Sequence, residues 1–185
     1  MEHRLRFSPG VCIFAAFLLV SIPFRWAAGV ILAAAIHELS HLMAVRLTGG
    51  KITGISIGIT GAKIETLPMS RGREVLCAAA GPLGSLLLAS VLPGFPEAAV
   101  SGLIQGIYNL LPVYPLDGGR ILRAVLPDSV CNGIRISTLI LLVGLGFWCM
   151  VSLEGGFVAL FPACIAGISS FHRKFPCKEG NLAVQ

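Results

Sequence analysis

Charged side chains are scarce in this chain. Asp, Glu, Lys and Arg make up 12% of its 185 residues, about half the share in soluble globular domains. That is too little charge to cover a water-facing surface, which excludes an ordinary soluble fold. No internal repeat, low-complexity tract or soluble accessory domain divides the chain, so residues 1–185 read as one domain. None of the six cysteines forms a C-x-x-C pair, and most lie in or beside apolar runs. A disulfide scaffold is excluded, and the cysteines read as small apolar side chains. The excess of 14 basic over 9 acidic residues falls in short clusters between apolar runs rather than in a basic patch. It therefore does not point to nucleic acid.

Apolar sequence is what the chain has, at 55% hydrophobic residues. Six stretches stand out, near residues 11–24, 26–47, 75–92, 98–111, 136–153 and 157–171. A full membrane span takes about 20 residues. The second, third and fifth stretches reach that length, while the first, fourth and sixth are short. The first reads as a retained span rather than a cleaved leader. Basic residues collect before the first stretch (His3, Arg4, Arg6), between the second and third (Arg46, Lys51, Lys63, Arg71, Arg73), between the fourth and fifth (Arg120, Arg123, Arg135) and after the sixth (His172, Arg173, Lys174, Lys178). The alternate connections carry Arg25, Glu97 and Glu154. Lys and Arg mark the cytoplasmic side, so the chain is expected to be a multi-pass protein of the cell membrane with both termini in the cytoplasm. Arg25 is the exception.

Residues 51–64 have a different rhythm. Ile55, Ile57 and Ile59 alternate with small or polar residues, which is a strand period. Gly58 and Gly61 permit a tight turn or bulge. The expected fold is an all-α membrane protein of about six transmembrane helices, with a short β-hairpin at the membrane surface between the second and third. Its core covers about 26–126, with extra helices over 10–25, 133–153 and 155–172.

The chemistry concentrates in the second stretch, at His37-Glu38-Leu39-Ser40-His41. On a helix, residues four apart share a face. His37 and His41 can thus aim nitrogens at one metal, and Glu38 beside them can take a proton from an attacking water. Chance supplies roughly 0.003 matches to H-E-x-x-H at this composition. Each acid at the bilayer centre costs about 2.5–3.5 kcal/mol, so such a cluster faces the protein interior and has a partner. The bland alternative is a hydrogen-bonded structural cluster.

Catalytic zinc takes three protein ligands and leaves one position open. A third histidine six residues after His41 would extend the motif, but Leu47 stands there. The candidate is Asp117, in Asn109-Leu-Leu-Pro-Val-Tyr-Pro-Leu-Asp117-Gly-Gly-Arg120. Prolines and glycines make this segment irregular. Irregular backbone at membrane depth survives only where it lines a cavity or is buried in protein. Taken alone, Asp117 reads equally well as the N-cap of a helix beginning at Gly118; an otherwise incomplete zinc site favours the ligand.

These motifs, His37-Glu38-x-x-His41, Ala80-Gly81-Pro82, Asn109-x-x-Pro112 and Leu116-Asp117-Gly118 in that order, resemble the site-2 protease family of intramembrane zinc metalloproteases. The resemblance spans about residues 31–123 and is nearest to the small bacterial sporulation-type branch that processes a pro-sigma factor. It implies that His37, His41 and Asp117 hold zinc, that Glu38 is the catalytic base, and that Asn109 and Pro112 belong to a substrate-facing loop. Ser85 stands where the family often has Asn, and the branch's nucleotide-sensing CBS domain has no counterpart in these residues. The expected function is hydrolysis of peptide bonds in a transmembrane or membrane-associated protein, such as a pro-sigma or anti-sigma factor, with a membrane protein as regulatory partner.

Peptide hydrolysis needs water, so the site should open toward the cytoplasm. His37 and His41 precede Arg46 by about two turns, placing the zinc within roughly 10–15 Å of that surface. A helical substrate must unwind before cleavage. The strand at 55–59 can hold the unwound segment by edge pairing, or it can be a plain structural hairpin. The rival functions are a peripheral peptidase and a non-protease membrane protein that binds or transports metal.

Overall fold

The computed structural model describes residues 4–58, 61–92 and 94–152. The sixth apolar stretch and Ile59 lie outside the described residues. A strand β1 (Arg4–Phe7) leads into helix α1 (Pro9–Ser21) and then α2 (Phe24–Leu47). Strands β2 (Ile52–Gly58) and β3 (Gly61–Thr66) follow, then α3 (Arg71–Val91), α4 (Pro96–Asn109), α5 (Asp117–Val125) and α6 (Asp128–Ser152).

α2, α3 and the first 18 residues of α6 are long and apolar enough to cross a membrane. These are the three stretches whose length suggested it. α1 and α4 have 13 and 14 residues, short of the roughly 20 of a perpendicular span. The distribution of side-chain sizes fits lipid as the solvent. The core is built from small side chains such as Ala27, Ala33, Ala78 and Ala98, while Ile31, Leu39, Met43, Leu83 and Leu87 point outward. Water would drive the large apolar groups inward. Lipid does not, and helices in it associate by close backbone approach through small residues.

The buried residues of α2 include Gly29, Ala33, His37, His41 and Val45, and those of α3 include Cys77, Gly81, Ser85 and Leu88. Each set follows a spacing of three or four, so each helix turns one stripe toward its neighbour. α3 packs against α2, α4 and α5, and α6 packs against α5. Arg25 Nε lies 2.9 Å from Glu97 Oε1, joining the start of α2 to the start of α4. This ion pair puts the α1–α2 and α3–α4 connections at one end of the helix bundle and gives the exceptional Arg25 a partner.

The hairpin of β2 and β3 forms as its alternation suggests, with Ile55 opposite Ile64, Ile57 opposite Ala62, and Gly58 opposite Gly61 at the turn. The sheet has a third member, because β1 runs parallel to β2 with Leu5 opposite Ile55 and Phe7 opposite Ile57. This corrects the expected edge pairing at 55–59. β2 is the middle strand, both its edges are occupied, and its backbone has no free edge for a further segment.

Candidate metal centre

α2 carries His37 and His41 one turn apart on its buried stripe, and α5 begins with Asp117. All three are buried although each is polar. The Nε2 atoms of the two histidines lie 3.2 Å apart, and Asp117 Oδ2 is 3.2 Å from His37 Nε2 and 3.1 Å from His41 Nε2. Residues separated by 76 positions in sequence thus converge on one point.

Each partner is held from behind. His41 Nδ1 donates to the Cys77 carbonyl at 2.7 Å, and His37 Nδ1 meets Ser85 Oγ at 3.0 Å. Arg120 Nη1 lies 3.3 Å from Asp117 Oδ1, one turn along α5, and leaves Oδ2 for the histidines. The Cys77 carbonyl can only accept, so His41 carries a proton on Nδ1, and when the ring is neutral its Nε2 turns a lone pair toward Asp117. A carboxylate oxygen also offers only lone pairs. Without a cation, lone pairs oppose one another in a buried site unless His41 is itself protonated on both nitrogens. A tetrahedral ion about 2.0–2.1 Å from such ligands sets them about 3.3 Å apart, close to the spacing found. The second nitrogen of a ligating histidine normally donates to a carbonyl or other oxygen, as His41 does. The donor set therefore fits a zinc ion.

Two glycines make the convergence sterically feasible. A Cβ on Gly81 would overlap Nε2 of His41, and a Cβ on Gly118 would overlap the carbonyl of Leu110. The first lets the imidazole lie across α3. The second lets α5 fold back on the turn after α4, which carries Asp117 inward. Asp117 is the first residue of α5, not its cap. Leu116 takes the N-cap position, with no side-chain capping bond.

Glu38 follows His37 on α2 and is half-buried. Asn109 ends α4 and donates from Nδ2 to its own helix at the Gln105 carbonyl, 3.0 Å away. Pro112 lines a small cleft with Tyr114, Arg123, Cys131 and Arg135, separate from the three converging residues. The structure brings His37, His41 and Asp117 together, with Glu38 the next residue after His37 along α2; it does not bring Asn109, Pro112, Ile55 or Ile57 into the contacts of that centre. Sequence reading missed the Cys77 carbonyl, which carries no side-chain signal. It also took Ser85 only as a departure from a family pattern, although Ser85 falls in register with Gly81 on α3.

A family model, Peptidase M50B-like, matches residues 10–111. The chain is 32% identical over 105 residues to the zinc metalloprotease MJ0392 of Methanocaldococcus jannaschii, covering 49% of this chain and 31% of that protein. It is 32% identical over 152 residues to Rip3 of Mycobacterium tuberculosis, covering 65% of this chain and 38% of the relative. The chain thus spans about a third of the length of the curated relatives it matches. The solved site-2 protease from Methanocaldococcus jannaschii shares the fold, with a TM-score of 0.65, 22% identity and 92% of each chain covered. With more than half of its residues matched by one family model, and that fold around the converging histidines and aspartate, this chain belongs to the M50B-like peptidases.

Proposed function

We propose that this chain is an intramembrane zinc metalloendopeptidase that cleaves peptide bonds of transmembrane or membrane-associated proteins. The observation that carries the reading is the buried meeting of His37 Nε2, His41 Nε2 and Asp117 Oδ2 at 3.1–3.2 Å. These three residues would hold zinc, which when bound supplies a Lewis acid that polarises a carbonyl and acidifies water. Glu38 takes the proton of the attacking water and delivers it to the leaving amine. Its place between the two histidines on α2 supports that role. The Cys77 carbonyl and Arg120 keep His41 and Asp117 oriented, so little reorganisation is needed as charge develops.

The basic clusters support a cell-membrane protein with both termini in the cytoplasm and a site opening to that side. The whole of residues 1–185 acts as one transmembrane protease domain. An unwound substrate segment pairs with the outer edge of β3, with Ile55 and Ile57 one strand further in. Asn109 and Pro112 face the substrate from the turn after α4. The sporulation-type resemblance makes a pro-sigma or anti-sigma factor the first substrate class to try, with a membrane protein as regulator. A metal transporter would need several sites along a path; among the described residues, His37, His41 and Asp117 are the single such cluster.

Glu38→Gln tests the reading. It keeps shape and removes the base, so zinc content should stay at one per chain while cleavage of a co-expressed membrane substrate falls by about 10²–10⁴-fold. Normal cleavage by this variant would remove Glu38 from the mechanism.

A further inference from the structure

Ser85 lies on the stripe of α3 that faces α2 and is fully buried. A buried serine in a helix commonly satisfies itself on the carbonyl four residues back. Ser40 and Ser101 do so here, bonding to Ile36 at 2.7 Å and to Glu97 at 2.7 Å. Ser85 instead reaches across the helix interface, and its Oγ stands 3.0 Å from His37 Nδ1.

The other nitrogen of that ring, Nε2, faces His41 Nε2 and Asp117 Oδ2. A neutral imidazole carries its proton on one nitrogen only. With the proton on Nε2, His37 would offer the centre no lone pair. With the proton on Nδ1, donated to a neighbouring oxygen, Nε2 becomes a donor atom for a cation. We infer that Ser85 is a positioning residue of the metal centre: its hydroxyl oxygen accepts the Nδ1 proton of His37 and thereby fixes which nitrogen faces the ion.

His41 receives the same service from the backbone of Cys77. One imidazole is thus set by main chain and the other by a single replaceable side chain, eight residues further along the same helix. Partners of this kind carry about 10- to 100-fold in metal affinity. The inference rests on the zinc reading of His37, His41 and Asp117, and its test separates the two.

The full chain is purified in detergent as wild type, Ser85→Ala, Ser85→Cys and Ser101→Ala. Zinc affinity is measured by competition with a chromophoric chelator, and the ligand field by the visible absorption of the cobalt(II)-loaded proteins. Melting of the zinc-free proteins checks folding. Ser85→Ala should bind zinc about 10- to 100-fold more weakly and shift the cobalt bands, with its zinc-free melting unchanged. Ser85→Cys keeps the approximate volume but offers a poor acceptor, so it should fall between Ala and wild type and serves if the alanine variant does not fold. Ser101→Ala removes an equally helical hydroxyl that does not touch the histidines, so it should match the wild type in both readings. Zinc affinity and cobalt spectra of Ser85→Ala and Ser85→Cys equal to those of the wild type overturn the inference while leaving the zinc reading intact. Failure of the wild type itself to take up zinc overturns both.

Discussion

Replacing Gly81 by alanine should weaken the metal centre without replacing any residue that would hold the metal. A Cβ at this position would overlap His41 Nε2 and stand 2.5 and 2.8 Å from Cε1 and Cδ2 of the same ring. The ring cannot simply retreat. Its Nδ1 is tied by a 2.7 Å bond to the Cys77 carbonyl, one turn earlier on the same helix. Either α2 and α3 separate, or the imidazole turns and loses that bond along with its alignment on Asp117. Overpacking of a tight interface costs about 1–3 kcal/mol. If that cost falls on the liganded geometry, zinc affinity drops by about 5- to 140-fold. Chelator competition on the purified variant reads the drop directly, and far-ultraviolet circular dichroism should show the helices retained. Wild-type zinc affinity in Gly81→Ala would refute the reasoning, because it would mean that the ring does not occupy the place described.

Asp117→Ala removes the carboxylate that meets both histidines, so metal stoichiometry after purification should fall well below one zinc per chain; an unchanged stoichiometry would take Asp117 out of the ligand set. Stripping zinc with a chelator should lower thermal stability in detergent, because an ion that binds the folded state at 100 times its Kd adds about 2.7 kcal/mol. Readdition of zinc should restore the melting temperature, and a melting curve indifferent to both treatments would count against a resident ion.

The histidine pair was legible because its chemistry is local. Four-residue spacing on a helix is a property of the sequence itself, and residues 26–47 become α2 at Phe24–Leu47 almost to the residue. Asp117 was legible only through its surroundings. Its carboxylate reaches His41 across 76 positions, a closure set by Gly118 against Leu110 rather than by any period. The hairpin followed from alternating isoleucines, whereas β1 did not, since a parallel partner 50 residues away in register leaves no mark on four residues that read as a charged leader to an apolar run. α6 starts at Asp128, eight residues ahead of the apolar stretch at 136, because a helix continues through polar residues as long as its backbone bonds are met. Hydropathy reports the lipid-facing part of a helix, not its length. The supporting partners were the hardest to read. A carbonyl such as that of Cys77 has no side-chain signature, and a serine in a membrane helix is compatible with many roles until its neighbour is known.

The inside-out packing and the metal centre are two consequences of one solvent. In lipid, large side chains gain nothing by turning inward, so the interface of α2 and α3 is free to be lined by Ala33, His37 and His41 on one side and Cys77, Gly81 and Ser85 on the other. Small residues bring the helices close enough for backbone and hydroxyl groups to reach the imidazoles. The same solvent penalises unbalanced charge. Ionised Asp117 brings a negative charge to a place where an acid costs about 2.5–3.5 kcal/mol on the insertion scale, and Arg120, about a third exposed, screens it only in part. A divalent cation held by neutral histidines and Asp117 balances that carboxylate and gives the opposed lone pairs a common partner. On this reasoning the ion is part of what makes the helix interface tolerable in the membrane. Its loss should therefore loosen the contact of α2 with α3 and α5 before it disturbs the distant Arg25–Glu97 pair. Hydrogen exchange of the zinc-free protein should accordingly rise first around Cys77 and Asp117, and a uniform rise along α2 and α4 would contradict it.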